Sequence, residues 1–153
     1  MDLRKTIILI LALISSVIAN AQDSTKFSLT FNHLAISVKD VNRSADFYKN
    51  ILHLKEIENR GKLEGVRWFS TGDGKELHLV SILKEPIALN KAIHIAFTTS
   101  DFDAVIMTLD KMKIIYSDWP GNSNKINIRA DGIKQIFFQD PDGYWIEVNS
   151  LGK

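Results

Sequence analysis

From Leu29 onward the chain alternates, with Leu29, Phe31, His33, Ala35 and Ser37 on one side and Thr30, Asn32, Leu34, Ile36 and Val38 on the other. That period of two predicts a strand. Asn42 then stands where a helix N-cap belongs, and Ala45, Tyr48, Ile51 and Leu52 follow at helical spacing. Residues 54–57, 65–70 and 76–83 are further strand-like runs, punctuated by Gly61, Gly65 and Gly72-Asp73-Gly74. Their order is βαβββ. A connector over 84–91 leads to a second opening strand at 92–99, and Ser100 with Asp103 predicts a capping box before Phe102, Val105, Ile106, Leu109 and Met112. Residues 113–116, 126–129, 133–139 and 144–149 supply the later strands, with turns at Pro120-Gly121 and Asp140-Pro141-Asp142-Gly143.

The second half repeats the first. At an offset of 61, residues 33–38 fall on 94–99, which sets His33 on His94 and Asp40 on Asp101. At an offset of 69, Trp68 falls on Phe137, Phe69 on Phe138, Asp73 on Asp142, Gly74 on Gly143, and His78 on Glu147. The offsets differ by 8, so one connecting loop of the second copy carries an insertion. Neither short copy can bury a sheet face alone, and the expected architecture is α+β: two βαβββ modules pairing into one curved mixed sheet, helices outside.

Side chains alternate along a strand, so His33, Ala35 and Ser37 share a face, as do His94, Ala96 and Thr98, and Trp145, Glu147 and Asn149. If the repeat is a two-fold, His33, His78, His94 and Glu147 converge in a cup. Three imidazoles and a carboxylate suit Zn, Ni, Co, Mn or Fe(II) better than Ca or Mg, and leave positions open for water or substrate oxygen. Glu76 shares the face of His78 and competes with it. The overlay sets Glu76 on Trp145, so His78 is taken as the ligand and Glu76 as a rim residue. His53, without a counterpart, reads as a surface or C-cap residue; Asp73, Asp101, Asp140 and Asp142 read as turn and cap residues, and Arg67 and Arg129 as solvated surface. Trp68, Phe97, Phe137, Phe138 and Trp145 read as core or cup lining.

The first 21 residues change the picture of where the chain works. Arg4 and Lys5 precede a 13-residue apolar run over 7–19, and Ala19-Asn20-Ala21 stands before Gln22. This layout predicts a signal peptide over 1–21, cleaved after Ala21, and export to a periplasmic or external compartment. The run is shorter than the about 18–20 residues of a spanning helix. Residues 22–28 form a leader and 29–153 a single domain, with pseudo-repeats at about 29–83 and 92–151. Cleavage would leave 17 basic and 17 acidic residues, a balance that gives no reason to expect nucleic acid or a membrane surface as partner. With no cysteine the chain has neither disulfides nor a thiol nucleophile.

These residues resemble the vicinal-oxygen-chelate superfamily of glyoxalases, bleomycin-resistance proteins and dioxygenases. The resemblance rests on residues 32–38 (Asn-His-Leu-Ala-Ile-Ser-Val), 44–52 (Ser-Ala-Asp-Phe-Tyr-Lys-Asn-Ile-Leu), 77–79 (Leu-His-Leu), 94–97 (His-Ile-Ala-Phe) and 138–148 (Phe-Gln-Asp-Pro-Asp-Gly-Tyr-Trp-Ile-Glu-Val). It implies paired βαβββ modules around a divalent metal, with His33, His78, His94 and Glu147 at the family's ligand positions. Glyoxalase I characteristically has a glutamate where His78 stands, which removes one of two bases from an isomerisation over both faces of a substrate. The resemblance also implies a small-molecule substrate and a homodimer, with the site closed within one chain or across two. The leading expectation is a metal-dependent lyase or isomerase of glyoxalase type that binds a small substrate through neighbouring oxygens, with Glu147 as general base. An Fe(II) dioxygenase and a non-catalytic small-molecule-binding protein are the alternatives.

Overall fold

The computed structural model describes residues 28–82, 85 and 87–151, so the expected signal peptide lies outside the described residues. Alternation at residues 33–37 yields β1 (His33–Ser37), and the run from Leu29 joins it only from His33 onward. Helix α1 (Val41–Asn50) follows, then β2 (Lys55–Ile57), β3 (Val66–Gly72) and β4 (Lys75–Val80). The second module repeats the order with β5 (His94–Thr99), helix α2 (Phe102–Lys111), β6 (Asn127–Ile128), β7 (Lys134–Gln139) and β8 (Trp145–Ser150). The strand expected over 113–116 is reduced to bridges at Ser117. No helix among the described residues is long and apolar enough to cross a membrane.

The fold is α+β with two βαβββ modules, as expected, and its strands form two four-stranded mixed sheets, one per module, ordered β1-β4-β3-β2 and β5-β8-β7-β6. Each module pairs its own strands, first with last in parallel, and leaves β1 and β5 as edges. Register supports the repeat: Ala35 pairs with His78 and Ala96 with Glu147, while His33 pairs with Glu76 and His94 with Trp145. His78 and Glu147 thus occupy equivalent places.

Both helix starts differ from expectation. Asp40, not Asn42, caps α1: its Oδ1 accepts from the Asn42 and Arg43 amides at 2.9 and 3.1 Å. Asn42 sits inside the first turn, where its Oδ1 accepts from Arg67. Asp101 holds the N-cap position of α2 without a side-chain cap bond, because its Oδ2 accepts from the Ser100 hydroxyl instead. The capping box does not form. His53 has φ 51, in keeping with its place after the helix.

Alternation decides what each sheet buries. Ile36, Val38, Phe69, Leu77 and Leu79 of the first sheet and Ile136, Phe138, Ile146 and Val148 of the second enter one hydrophobic core with Ala45 and Tyr48 of α1 and Phe102 and Leu109 of α2. The alternate face of each sheet, which carries the histidines and Glu147, therefore points away from that core. Two turn residues do more than turn the chain. Tyr48 donates to Asp140 Oδ2 at 2.8 Å, and Asp142 accepts from the Ser44 hydroxyl and the Lys39 amide, which joins α1 to the turn before β8. Burial pushes the Asp140 carboxyl above its ordinary range, against the lowering effect of the Tyr48 hydroxyl and the Tyr144 and Asp142 amides. Burial and the neighbouring carboxylate push the Tyr48 phenol up as well.

Candidate metal centre

On the outward face of the first sheet four planar groups stack in a row. The His33 and His78 rings are 4.2 Å apart at 15°, the His78 and Trp68 rings 4.0 Å apart at 5°, and the Arg60 guanidinium lies 4.7 Å over Trp68. Glu76 ties the row together. Its carboxylate accepts from Arg60 Nη2 at 2.6 Å and from His78 Nε2 at 2.8 Å, and the Arg60 contact, with the His78 one, holds it below the usual carboxylate range. Since a carboxylate accepts, His78 carries its hydrogen on Nε2 and leaves Nδ1 available. His33 Nδ1 meets Asn32 Oδ1 at 2.7 Å, which leaves Nε2 available. A ligating histidine typically has this kind of oxygen partner on its other nitrogen.

The second sheet carries the complementary half. His94 Nδ1 lies 2.9 Å from the Lys91 carbonyl, which can only accept, so the hydrogen is on Nδ1. The bare Nε2 of a neutral ring then faces Glu147 Oε2 at 3.1 Å. Two acceptors confront each other there, and a proton or a metal ion between them removes the conflict. On an ion with bonds of about 2.0–2.2 Å, neighbouring donors at a right angle stand about 3 Å apart, so the pair fits a shared cation. Glu147 Oε1 is already saturated: Gln135 Nε2 donates to it at 2.8 Å and Asn149 Nδ2 at 2.6 Å, with Asn127 in turn donating to Gln135.

The structure brings His33 to His78 and His94 to Glu147. It does not gather all four: among the described residues no group of three or more His, Asp or Glu side chains is placed to hold one ion. Each pair stands on its own outward face.

Several neighbours of these pairs were not expected from sequence. Asn149 is the exception, being expected on the face of Glu147; Gln135 sits two residues from Phe137, so the strand period would have found it too. Lys91 and Trp119, from irregular segments, left no periodic signal. Lys91 Nζ lies 4.6 Å over Trp145 and 5.3 Å over Phe137 while donating to Ser117 Oγ and the Asp118 and Trp119 carbonyls. Arg67, expected as solvated surface, pairs with Glu56 at 2.7 Å, and its guanidinium holds the Glu56 carboxyl below its ordinary value. Phe97 and Phe138 pack with the core; Trp68, Phe137 and Trp145 line the outward faces. A cleft of about 460 Å³ opens between the edge strands β1 and β5, with Leu34, Ile87, Ile93, Ile95 and His94 in its wall.

Residues 30–148 match the family described as the Glyoxalase/Bleomycin resistance protein/Dioxygenase superfamily. The chain belongs to this superfamily. It is 30% identical over 129 residues to Glyoxylase I 4 of Arabidopsis thaliana, covering 78% of this chain and 69% of that one. It is 27% identical over 133 residues to Metallothiol transferase FosB of Staphylococcus saprophyticus, covering 79% and 76%. Among solved structures, a glyoxalase/dioxygenase from Nostoc punctiforme superposes with a TM-score of 0.64 at 25% identity, covering 85% of this chain and all of its own. Superfamily members of this kind use divalent metals and small-molecule substrates, in keeping with the imidazole and carboxylate donors on the two outward faces.

Proposed function

We propose that the protein is a metal-dependent enzyme of glyoxalase type, a lyase or isomerase, whose centre is built from His33 and His78 of one copy and His94 and Glu147 of a second. The observation that carries this reading is the His94–Glu147 confrontation, an imidazole nitrogen and a carboxylate oxygen 3.1 Å apart, with His94 Nδ1 and Glu147 Oε1 committed elsewhere. The dimer follows from the outward faces. Residues that cannot reach a common ion within one chain do so when the first module of one copy meets the second module of another, and the unpaired edges β1 and β5 offer the place for that meeting.

A bound divalent ion supplies Lewis acidity toward neighbouring substrate oxygens. The chain's own residues do the rest. Gln135 and Asn149 orient the Glu147 carboxylate, whose Oε2 faces the reacting centre and takes a proton from the substrate there. Trp68 and His33 hold the His78 ring between them. The amino-terminal pattern supports work in an exported compartment.

The stack also favours a second reading. His78 is buried to 9% exposure between Trp68 and His33 and spends Nε2 on Glu76, so a set without it is His33, His94 and Glu147, the two-histidine, one-carboxylate pattern of Fe(II) oxygenases.

Mixing tests the reading. His33→Ala and His94→Ala variants each lose metal binding alone, and in a heterodimer of the two, one of the two sites is whole. Recovery of about a quarter of the wild-type Zn(II) content after unfolding and co-refolding of an equal mixture, in which about half of the dimers are heterodimers, supports the shared centre; no recovery places each site within one chain, and a wild-type protein without affinity for any divalent ion overturns the reading. Oxygen uptake by Fe(II)-loaded protein with catechols separates the second reading from the first.

A further inference from the structure

We propose that Trp119 selects the substrate at the His94–Glu147 pair, and selects for a planar conjugated group carried beside the chelating oxygens. The proposal rests on the metal reading above and adds the class of substrate to it. In the first module the loop between β2 and β3, and in the second the segment between α2 and β6, reaches over the aromatic residue that β3 or β7 turns outward. In the first, Arg60 covers Trp68 at 4.7 Å. In the second, the eight extra residues fall between 116 and 135, since α1 aligns with α2 at an offset of 61 and β3 with β7 at 69. That longer loop sets Trp119 against Phe137 at 5.4 Å and 68°, and 6.4 Å from His94 at 73°.

Trp119 remains 50% exposed although its backbone is tied down. Lys91 Nζ donates to its carbonyl at 3.2 Å, and the Asp118 carboxylate collects the Gly121 and Asn122 amides at 2.9 and 2.8 Å. A half-bare indole on a pinned turn, beside a ligand pair, is a wall for a ligand. Its chemistry is that of a π face. The Lys91 ammonium next to it has its three N–H groups committed to Ser117, Asp118 and Trp119, and so offers no donor for an anionic tail. An aromatic or conjugated ring set edge or face against Trp119 gains from that contact, while Phe137, itself buried, backs the indole.

Benzohydroxamate and acetohydroxamate test this, because both chelate through the same two oxygens and differ in the ring. With Zn(II)-loaded protein, calorimetry is expected to give benzohydroxamate about tenfold tighter binding. Trp119→Ala should bring the two within about threefold, and Trp119→Phe should keep most of the preference, while acetohydroxamate and Zn(II) affinities stay unchanged. Equal binding of both probes by the wild type, or a preference that survives Trp119→Ala, overturns the proposal. Failure to bind Zn(II) counts against the metal reading, not the wall; the wall is then judged on metal-free protein with 2-naphthol by ligand-observed NMR. Binding that Trp119→Ala abolishes sustains it, and no binding refutes it.

Discussion

His94 Nε2 faces Glu147 Oε2 across 3.1 Å while Nδ1 is held by the Lys91 carbonyl, so the contact needs a proton or a cation between the two atoms. Glutamine at 147 would keep Oε1 for Gln135 and Asn149 and turn an amide donor toward His94. Glu147→Gln is therefore expected to unfold at or above the wild-type temperature without metal, yet to bind Zn(II) more than about tenfold more weakly. Thermal unfolding with and without Zn(II), with chelator competition, reads both. A variant that is less stable when metal-free and binds Zn(II) unchanged would show that the pair is an ordinary ion pair.

Gln135 touches Glu147 and not the space in front of it. Gln135→Leu removes one of two donors to Oε1 and leaves Asn127 without its acceptor. Metal affinity should fall about 10–100-fold with the fold retained, as for other partners of metal-ligating carboxylates. Circular dichroism together with Zn(II) competition separates this from simple unfolding.

Tyr48 and Asp140 carry the joint between α1 and the turn before β8. Tyr48→Phe strips the hydroxyl from a buried carboxylate oxygen and should cost about 1–3 kcal/mol of stability, measured by urea denaturation. Zn(II) affinity at the distant outward faces should not change.

Asp140 also predicts a pH dependence. Its folded carboxyl lies above the ordinary 3.8, mainly because it is buried, so the folded state binds this proton more tightly than the unfolded chain. The contribution to stability is fully present below about 3.8 and is lost as pH rises through the raised folded value. Wild-type stability should thus fall relative to Asp140→Asn as pH climbs from about 4 toward neutrality, and parallel curves for the two proteins would contradict this origin.

Which parts of this were legible in the chain follows from how local each signal is. Strand alternation is local, so the faces of His33, His78, His94 and Glu147 could be read from residue order, and the offsets of 61 and 69 recovered a register that the Ala35–His78 and Ala96–Glu147 pairings repeat. Helix starts depend on one side chain reaching one amide, and spacing could not tell Asp40 from Asn42 as the donor's partner.

The sequence by itself determined two equivalent modules and which residues share a face, because both are written in periods of two and in a repeat; the resemblance to the superfamily rested on its motifs, and the family match over residues 30–148 bears it out. Only the tertiary structure decided that both sheets turn their apolar faces into one core, which sends the two ligand pairs outward. It also decided that Arg60, Lys91 and Trp119 come to rest on them. Those outcomes depend on contacts between residues far apart in the chain, and no periodic pattern encodes which loop will cover which strand.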